Sequence, residues 1–239
     1  MKSVILDLHE QLKSGKTTAE QLVANAKAMA KKYAFTNSII TPIFKSSDVA
    51  FNPDNLLSCI PYSLKDNIST EGIVTTGGSK FLSNYVPPYN ASVYGLLKTN
   101  GASLVSKDAL DEFGLGGTGT HCFTGPVCNP WDKTRRTGGS SSGSVVNVAT
   151  GISAFAIATD TGDSIRRPAS LVGVVGYKPT YGAISRYGVL PFAPSFDHVG
   201  IISKYVADAV IVAQTLIKHD PKDYTSTTRI KDVKLENLR

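Results

Sequence analysis

Charge is scarce in this sequence. Asp, Glu, Lys and Arg make up 18% of the 239 residues, against roughly 25% in an ordinary soluble domain. There are only three cysteines, Cys59, Cys122 and Cys128. An odd count at irregular spacing argues against a disulfide framework and for a reducing compartment. His121 and Cys122, with Cys128 beyond, lack a fourth ligand at zinc spacing, so no metal is expected. No apolar run reaches about 18 residues, so no segment reads as a membrane span. The opening MKSVILDLHEQL has acids in its first turns and no cleavage site, unlike a secretory signal, and is too acidic for a good transit peptide. A cytoplasmic location is expected, with the mitochondrial matrix as the alternative.

Hydroxyl groups take the place of charge: there are 24 Ser and 21 Thr. With 41% hydrophobic residues the chain has ample material for a core, and disorder is excluded. The net charge of +6 permits weak attraction to nucleic acid without showing binding. The densest basic cluster, Lys133, Arg135 and Arg136, reads as a solvated loop.

The pattern along the chain is α/β. Residues 3–14 and the stretch after Thr17 read as two helices, a hairpin within residues 1–35. Thr17 and Glu20 match a capping box, and Leu22, Ala26, Met29 and Tyr33 form a stripe. Ile60–Leu64 reads as a short strand that delivers Lys65. A helix over 91–99 stops at Asn100-Gly101, and a strand follows at 102–105. Ser144–Thr150 reads as a helix, and AFAIAT at 154–159 as a strand buried on both faces. Residues 206–217 form an amphipathic helix with Ala209, Val210, Ala213 and Leu216 inward. The stretch from Lys218 is polar with little core pattern.

Three familiar motifs fail on context. Gly114-x-Gly116-x-x-Gly119 stands too far from its strand for a dinucleotide fingerprint. Gly15-Lys16-Thr17 lacks the first glycine of a phosphate loop, since Glu10 occupies that place. Gly139-x-Ser141-x-Gly143 fits a hydrolase nucleophile elbow but follows a turn, not a strand. Asp197, His198, Asp208 and His219 are the later residues that could complete a triad with Ser141.

Two segments ask for a functional explanation. TGGSSSGS (137–144) gathers hydroxyls on a glycine-rich backbone at a helix start. ATDTGDSIRRPAS (158–170) leaves a buried strand by a tight turn that presents Ser164, with successive N–H groups suited to an oxyanion. A serine nucleophile needs a base, and the four histidines stand in no catalytic setting. Lys65, in the apolar context IPYSLK, can serve if burial lowers its pKa.

Together, IPYSLKDN (60–67), GGSSSGS (138–144), DTGDSIRRPAS (160–170) and GVVGYKPTYGAISRYG (173–188) resemble the amidase signature family. The resemblance implies a mixed twisted β-sheet covered by helices on both faces, with about half of that fold present. The whole chain, 1–239, is then one amidase domain incomplete at its C-terminal end. It implies a Ser–cis-Ser–Lys relay in which Ser164 is the nucleophile, Ser140 the bridge and Lys65 the base. Ser141 matches the supporting serine. The N–H groups of Thr161, Gly162, Asp163 and Ser164 match the oxyanion hole. Asp160 and Arg166 flank the nucleophile and can pair to brace its turn. Two departures stand out, Ser142 and Asp163, where the family usually has Gly. Asp163 raises the question of backbone strain if its φ is positive.

Within the family, the blocks at 110–132, 177–200 and 219–223 are similar to those of the A subunits of tRNA-dependent amidotransferases. That resemblance implies hydrolysis of glutamine to glutamate and ammonia. It implies partner B and C subunits, with Glu-tRNA(Gln) held mainly by the B subunit. ATP and Mg are then used by that partner, and this chain needs no cofactor of its own. The alternatives are a stand-alone amidase on another amide, and an inactive or scaffold-like fragment.

Overall fold

A computed structural model describes residues 2–226. The chain opens with helix α1 (Val4–Lys13), started by the hydroxyl of Ser3, which accepts from Leu6 N. Helix α2 (Ala19–Lys32) follows. Its capping box is Thr18 with Gln21, not Thr17 with Glu20: Thr18 Oγ1 accepts from Gln21 N, and Gln21 Oε1 accepts from Thr18 N. Thr17 instead donates its N–H back to Gln11 O.

Six strands form one mixed sheet: β1 (Ile39–Pro42), β2 (Pro61–Lys65), β3 (Ser103–Asp108), β4 (Phe155–Asp160), β5 (Val175–Tyr177) and β6 (His198–Ser203). Their order is β1-β3-β2-β4-β6-β5. The central strand β2 runs parallel to both β3 and β4, while the outer pairings are antiparallel. The C-terminal ends of three parallel strands therefore lie side by side. They carry Lys65, Asp108 and Asp160, the usual position for a site in an α/β sheet.

Four more helices complete the layers: α3 (Ser92–Thr99), α4 (Ser142–Ala149), α5 (Arg166–Val172) and α6 (Val206–Leu216). The period-2 alternation of β4 decides which helix goes where. Phe155 and Ile157 join a core with Tyr62, Leu64 and residues of α1, α3 and α6. Ala156 and Ala158 join Val145, Val148 and Ala149 of α4 and Ile165, Ala169 and Val172 around α5. Large side chains fill one face. Small ones on the other leave room for α4 and α5, the two helices whose starts follow Ser140 and Ser164.

Helix α6 departs from the expected stripe. Ala209, Ala213 and Leu216 are buried as expected, but Val210 is half-buried, and Asp208, Ile211 and Val212 are buried too. The helix is enclosed on most of its circumference because α1 packs against it. Asp208 accepts from Ser3 Oγ (2.5 Å), Ile5 N (3.0 Å) and Val4 N (3.2 Å), so a buried carboxylate satisfies the first N–H groups of α1. The three cysteines are free. Among the described residues no helix is long and apolar enough to cross a membrane.

Candidate active site

Lys65 closes β2 and is fully buried. Its Nζ lies 2.7 Å from Ser140 Oγ, 2.9 Å from Thr159 Oγ1 and 3.3 Å from Thr159 O. All three partners are neutral oxygens. Burial pulls Lys65 down from the ordinary lysine range to about 7, against the opposing attraction of Asp111, Asp160 and Asp197. Near neutral pH Lys65 therefore has a substantial neutral fraction, and a neutral amine beside a hydroxyl can accept its proton.

Ser140 is delivered by a backbone that few sequences can adopt. Gly138 has φ +74°, and the Gly139–Ser140 peptide is cis. A Cβ on Gly139 would run into Asp111 Oδ2, so only glycine fits there. Ser140 O accepts from Asp111 N at 3.2 Å. Ser141 Oγ donates to Thr159 O (3.2 Å), and Ser141 N donates to Ser164 O (3.1 Å). The serine segment is thus stitched to both ends of the turn after β4. Ser142, the first departure from the family pattern, is buried and its hydroxyl donates to Ala109 O (3.4 Å). Helix α4 accommodates it without a clash.

The turn after β4 is organised by Asp160. Its carboxylate accepts from Ile165 N (3.0 Å), Arg166 N (3.3 Å), Arg166 Nε (3.1 Å) and Arg166 Nη2 (3.2 Å), and pairs with Lys178 Nζ (2.8 Å). Burial would raise this carboxyl, but the bonds from Arg166, Lys178 and the two N–H groups outweigh it and hold Asp160 at about 2. The expected Asp160–Arg166 pair is present. Lys178, which also donates to Thr161 O (3.0 Å), is a partner the sequence did not reveal. Thr161 Oγ1 donates to Asp197 Oδ1 at 2.5 Å, which ties the turn to the 192–197 loop.

Among the described residues, the N–H groups of Thr161, Gly162, Asp163 and Ser164 have no hydrogen-bond acceptor. Four consecutive free donors make a ready seat for an anion. Asp163 does not have a positive φ, and its carboxylate turns aside to pair with Arg167 at 2.5 Å in a half-exposed position. The second departure therefore brings no backbone strain. Ser164 is buried, and its hydroxyl has no hydrogen bond among the described residues. The link from Ser140 to Ser164 is open here, as such links often are before substrate binds.

The nucleophile-elbow alternative is overturned. Ser141 is fully buried and committed to Thr159 O. Asp197 accepts from Phe192 N and Ala193 N, Asp208 caps α1, and His198 Nδ1 engages Phe196 O. His219 is exposed.

Sequence reasoning missed a buried polar layer beside the relay. Lys107 Nζ pairs with Asp66 Oδ1 at 2.9 Å, both fully buried. Asp108, pushed up to about 7 by burial against hydrogen bonds that lower it, accepts from Ser106, Ser144 and Asn147. Asn67 Nδ2 donates to Thr159 Oγ1 (3.0 Å). A signal was available: Lys-Asp recurs at the ends of the two strands, as Lys65 closing β2 with Asp66 just beyond it and as Lys107-Asp108 closing β3, and the parallel register sets Lys65 opposite Asp108.

The family profile described as Amidase matches residues 20–238. The glutamyl-tRNA(Gln) amidotransferase A subunit of Mycoplasma pneumoniae is 49% identical over 230 residues, covering 95% of this chain and 48% of that protein. The crystal structure of the glutamyl-tRNA(Gln) amidotransferase A subunit from Thermotoga maritima superposes with a TM-score of 0.83 at 39% identity, over 90% of this chain and 47% of that one. Native peptide amidase from Stenotrophomonas maltophilia gives the same TM-score at 29% identity, over 95% of this chain and 51% of that one. The chain thus spans about half the length of the relatives it matches. From its motifs, its fold and these matches, the chain belongs to the amidase family.

Proposed function

We propose that this chain carries the serine relay of a glutamine amidohydrolase whose ammonia serves the conversion of Glu-tRNA(Gln) to Gln-tRNA(Gln). The observation that carries the reading is the fully buried Lys65 Nζ at 2.7 Å from Ser140 Oγ, beside a turn with four unengaged N–H groups. In this reading neutral Lys65 takes the proton of Ser140, and Ser140 takes that of Ser164. Ser164 Oγ then forms a bond to the amide carbon, and the carbonyl oxygen becomes an oxyanion facing the N–H groups of Thr161 to Ser164. The relay returns its proton to the nitrogen, the C–N bond breaks, and ammonia leaves. Water, deprotonated by the same relay, releases the acid and restores Ser164.

Likeness to the amidotransferase A subunits supports glutamine as the amide and tRNA amidation as the destination of the ammonia. B- and C-type partners complete the reaction in this reading, with ATP and Mg entering at the partner that holds Glu-tRNA(Gln). Likeness to the peptide amidase favours a second reading, a stand-alone amidase on another amide.

A fluorophosphonate probe tests the relay. It should label the wild-type chain and not Ser164→Ala; labelling at Ser141 would restore the elbow, and no labelling would favour a scaffold-like role. Ammonia release from glutamine that rises with B and C subunits and Glu-tRNA(Gln) identifies the amidotransferase. Cleavage of other amides without that dependence identifies the stand-alone amidase.

A further inference from the structure

One buried carboxylate touches the relay without taking part in it. Asp111 is fully buried. Its Oδ2 accepts from Gly119 N (3.0 Å) and Thr118 N (3.2 Å), and its Oδ1 from His121 N (3.0 Å). Its own N–H donates to Ser140 O at 3.2 Å. A single residue therefore grips the 118–121 loop with its side chain and the relay peptide with its backbone. The close approach of Asp111 Oδ2 to Gly139 fixes the same peptide from its other side.

The charges around Lys65 single out Asp111. Asp160 is balanced by Arg166 and Lys178, and Asp66 by Lys107. Asp197 is engaged by the Thr161 hydroxyl and the N–H groups of Phe192 and Ala193. Asp108 is held among Ser106, Ser144 and Asn147. Asp111 is satisfied by three neutral N–H groups, and the one ionisable cation beside it among the described residues is the exposed His121 ring, with Nδ1 at 3.4 Å. No Lys or Arg side chain pairs with Asp111 among the described residues.

We propose that Asp111 is a positioning residue of the relay: its N–H fixes the Ser140 peptide against Lys65, and its carboxylate, packed against Gly139, is the buried counter-charge behind the Lys65–Ser140 contact. Its purpose rests on the serine-relay reading, but its existence does not. Of the carboxylates that oppose the depression of Lys65 by burial, Asp111 is the strongest.

The test is a carbon-13 NMR titration of the Lys65 Cε in the full chain, assigned by its loss in Lys65→Met. The wild-type midpoint should lie near 7. Removing the anion favours the neutral amine, so in Asp111→Asn the midpoint should fall by about one unit. The pH profile of probe labelling should move in the same direction. An unmoved Lys65 midpoint in a folded Asp111→Asn overturns the proposal. Asn cannot accept every N–H that Asp111 accepts, so a second measurement needs no change at Asp111. In His121→Ala, which removes the imidazole, the Asp111 Cγ signal should show a step at the Lys65 midpoint that is absent when Lys65→Met is added; no step overturns the proposal. If Lys65 responds as expected and no probe labels Ser164, the serine-relay function fails while the counter-charge stands.

Discussion

The two sides of strand β2 are buried equally and built from opposite materials. Tyr62 and Leu64 point into an apolar core, with Tyr62 stacked on Phe155 at 5.3 Å. Ser63 and Lys65, their neighbours in the chain, enter a polar layer in which Ser63 meets Ser153 at 3.2 Å and Lys65 meets Ser140. On the apolar side each contact is non-directional, and area removed from water supplies the stability. On the polar side every group costs free energy unless its partners are placed correctly, so that side selects one arrangement of chain segments distant in sequence. Stability and chemistry are thereby assigned to opposite faces of one five-residue strand.

Substitutions on the two sides should separate these roles. The largest expected effect is Lys65→Met, which removes the base and should slow serine acylation by about 10²–10⁴-fold, read as the rate of probe labelling. Comparable acylation in this variant would break the division. Phe155→Ala, on the apolar side, should cost about 3–5 kcal/mol in denaturant unfolding. The labelling midpoint of whatever remains folded should stay near 7. A shifted midpoint would show that the two faces are coupled.

The wild-type pH profile comes next in size. Lys65 acts as a base only when neutral, so labelling should level off above its pKa of about 7. Below that value it should fall about tenfold per unit as the amine is protonated. A profile flat between pH 5 and 8 would remove Lys65 from the role. The smallest effect belongs to Asp163→Gly. Because Asp163 pairs with Arg167 at a half-exposed position, labelling should change by less than about twofold. A large loss would mean that this carboxylate helps hold the oxyanion turn.

The apolar side of the molecule was legible in the sequence because its signal is local. AFAIAT announces β4, and the run before Lys65 announces β2, since a strand buried on both faces reads as an unbroken apolar stretch. The relay residues were legible through glycine-rich turns and family spacing. The buried ions were not. Lys107, Asp108 and Asp111 carry the same letters as surface residues; the parallel pairing of β2 with β3 puts the first two indoors, and the 118–121 loop closes on Asp111. Adjacent Thr17 and Thr18 likewise offer two equal caps on paper. The choice falls to Thr18 because the Thr17 N–H is committed to Gln11 O, which leaves Thr18 to open the helix with Gln21.

The bond between Ser3 and Asp208 spans 205 positions of the chain. It has a consequence for the order of assembly. Helix α1 can form early and meets Phe51 and Pro53 through His9, but the carboxylate that caps its first turn is missing until α6 has emerged and folded. Docking the first helix is therefore a late, non-local step with a large loop-closure cost, of the kind that slows folding. During synthesis the apolar stripe of Ile5 and Leu12 waits without its cover. The Ser3 end of helix α1 is completed only once Asp208 is in place.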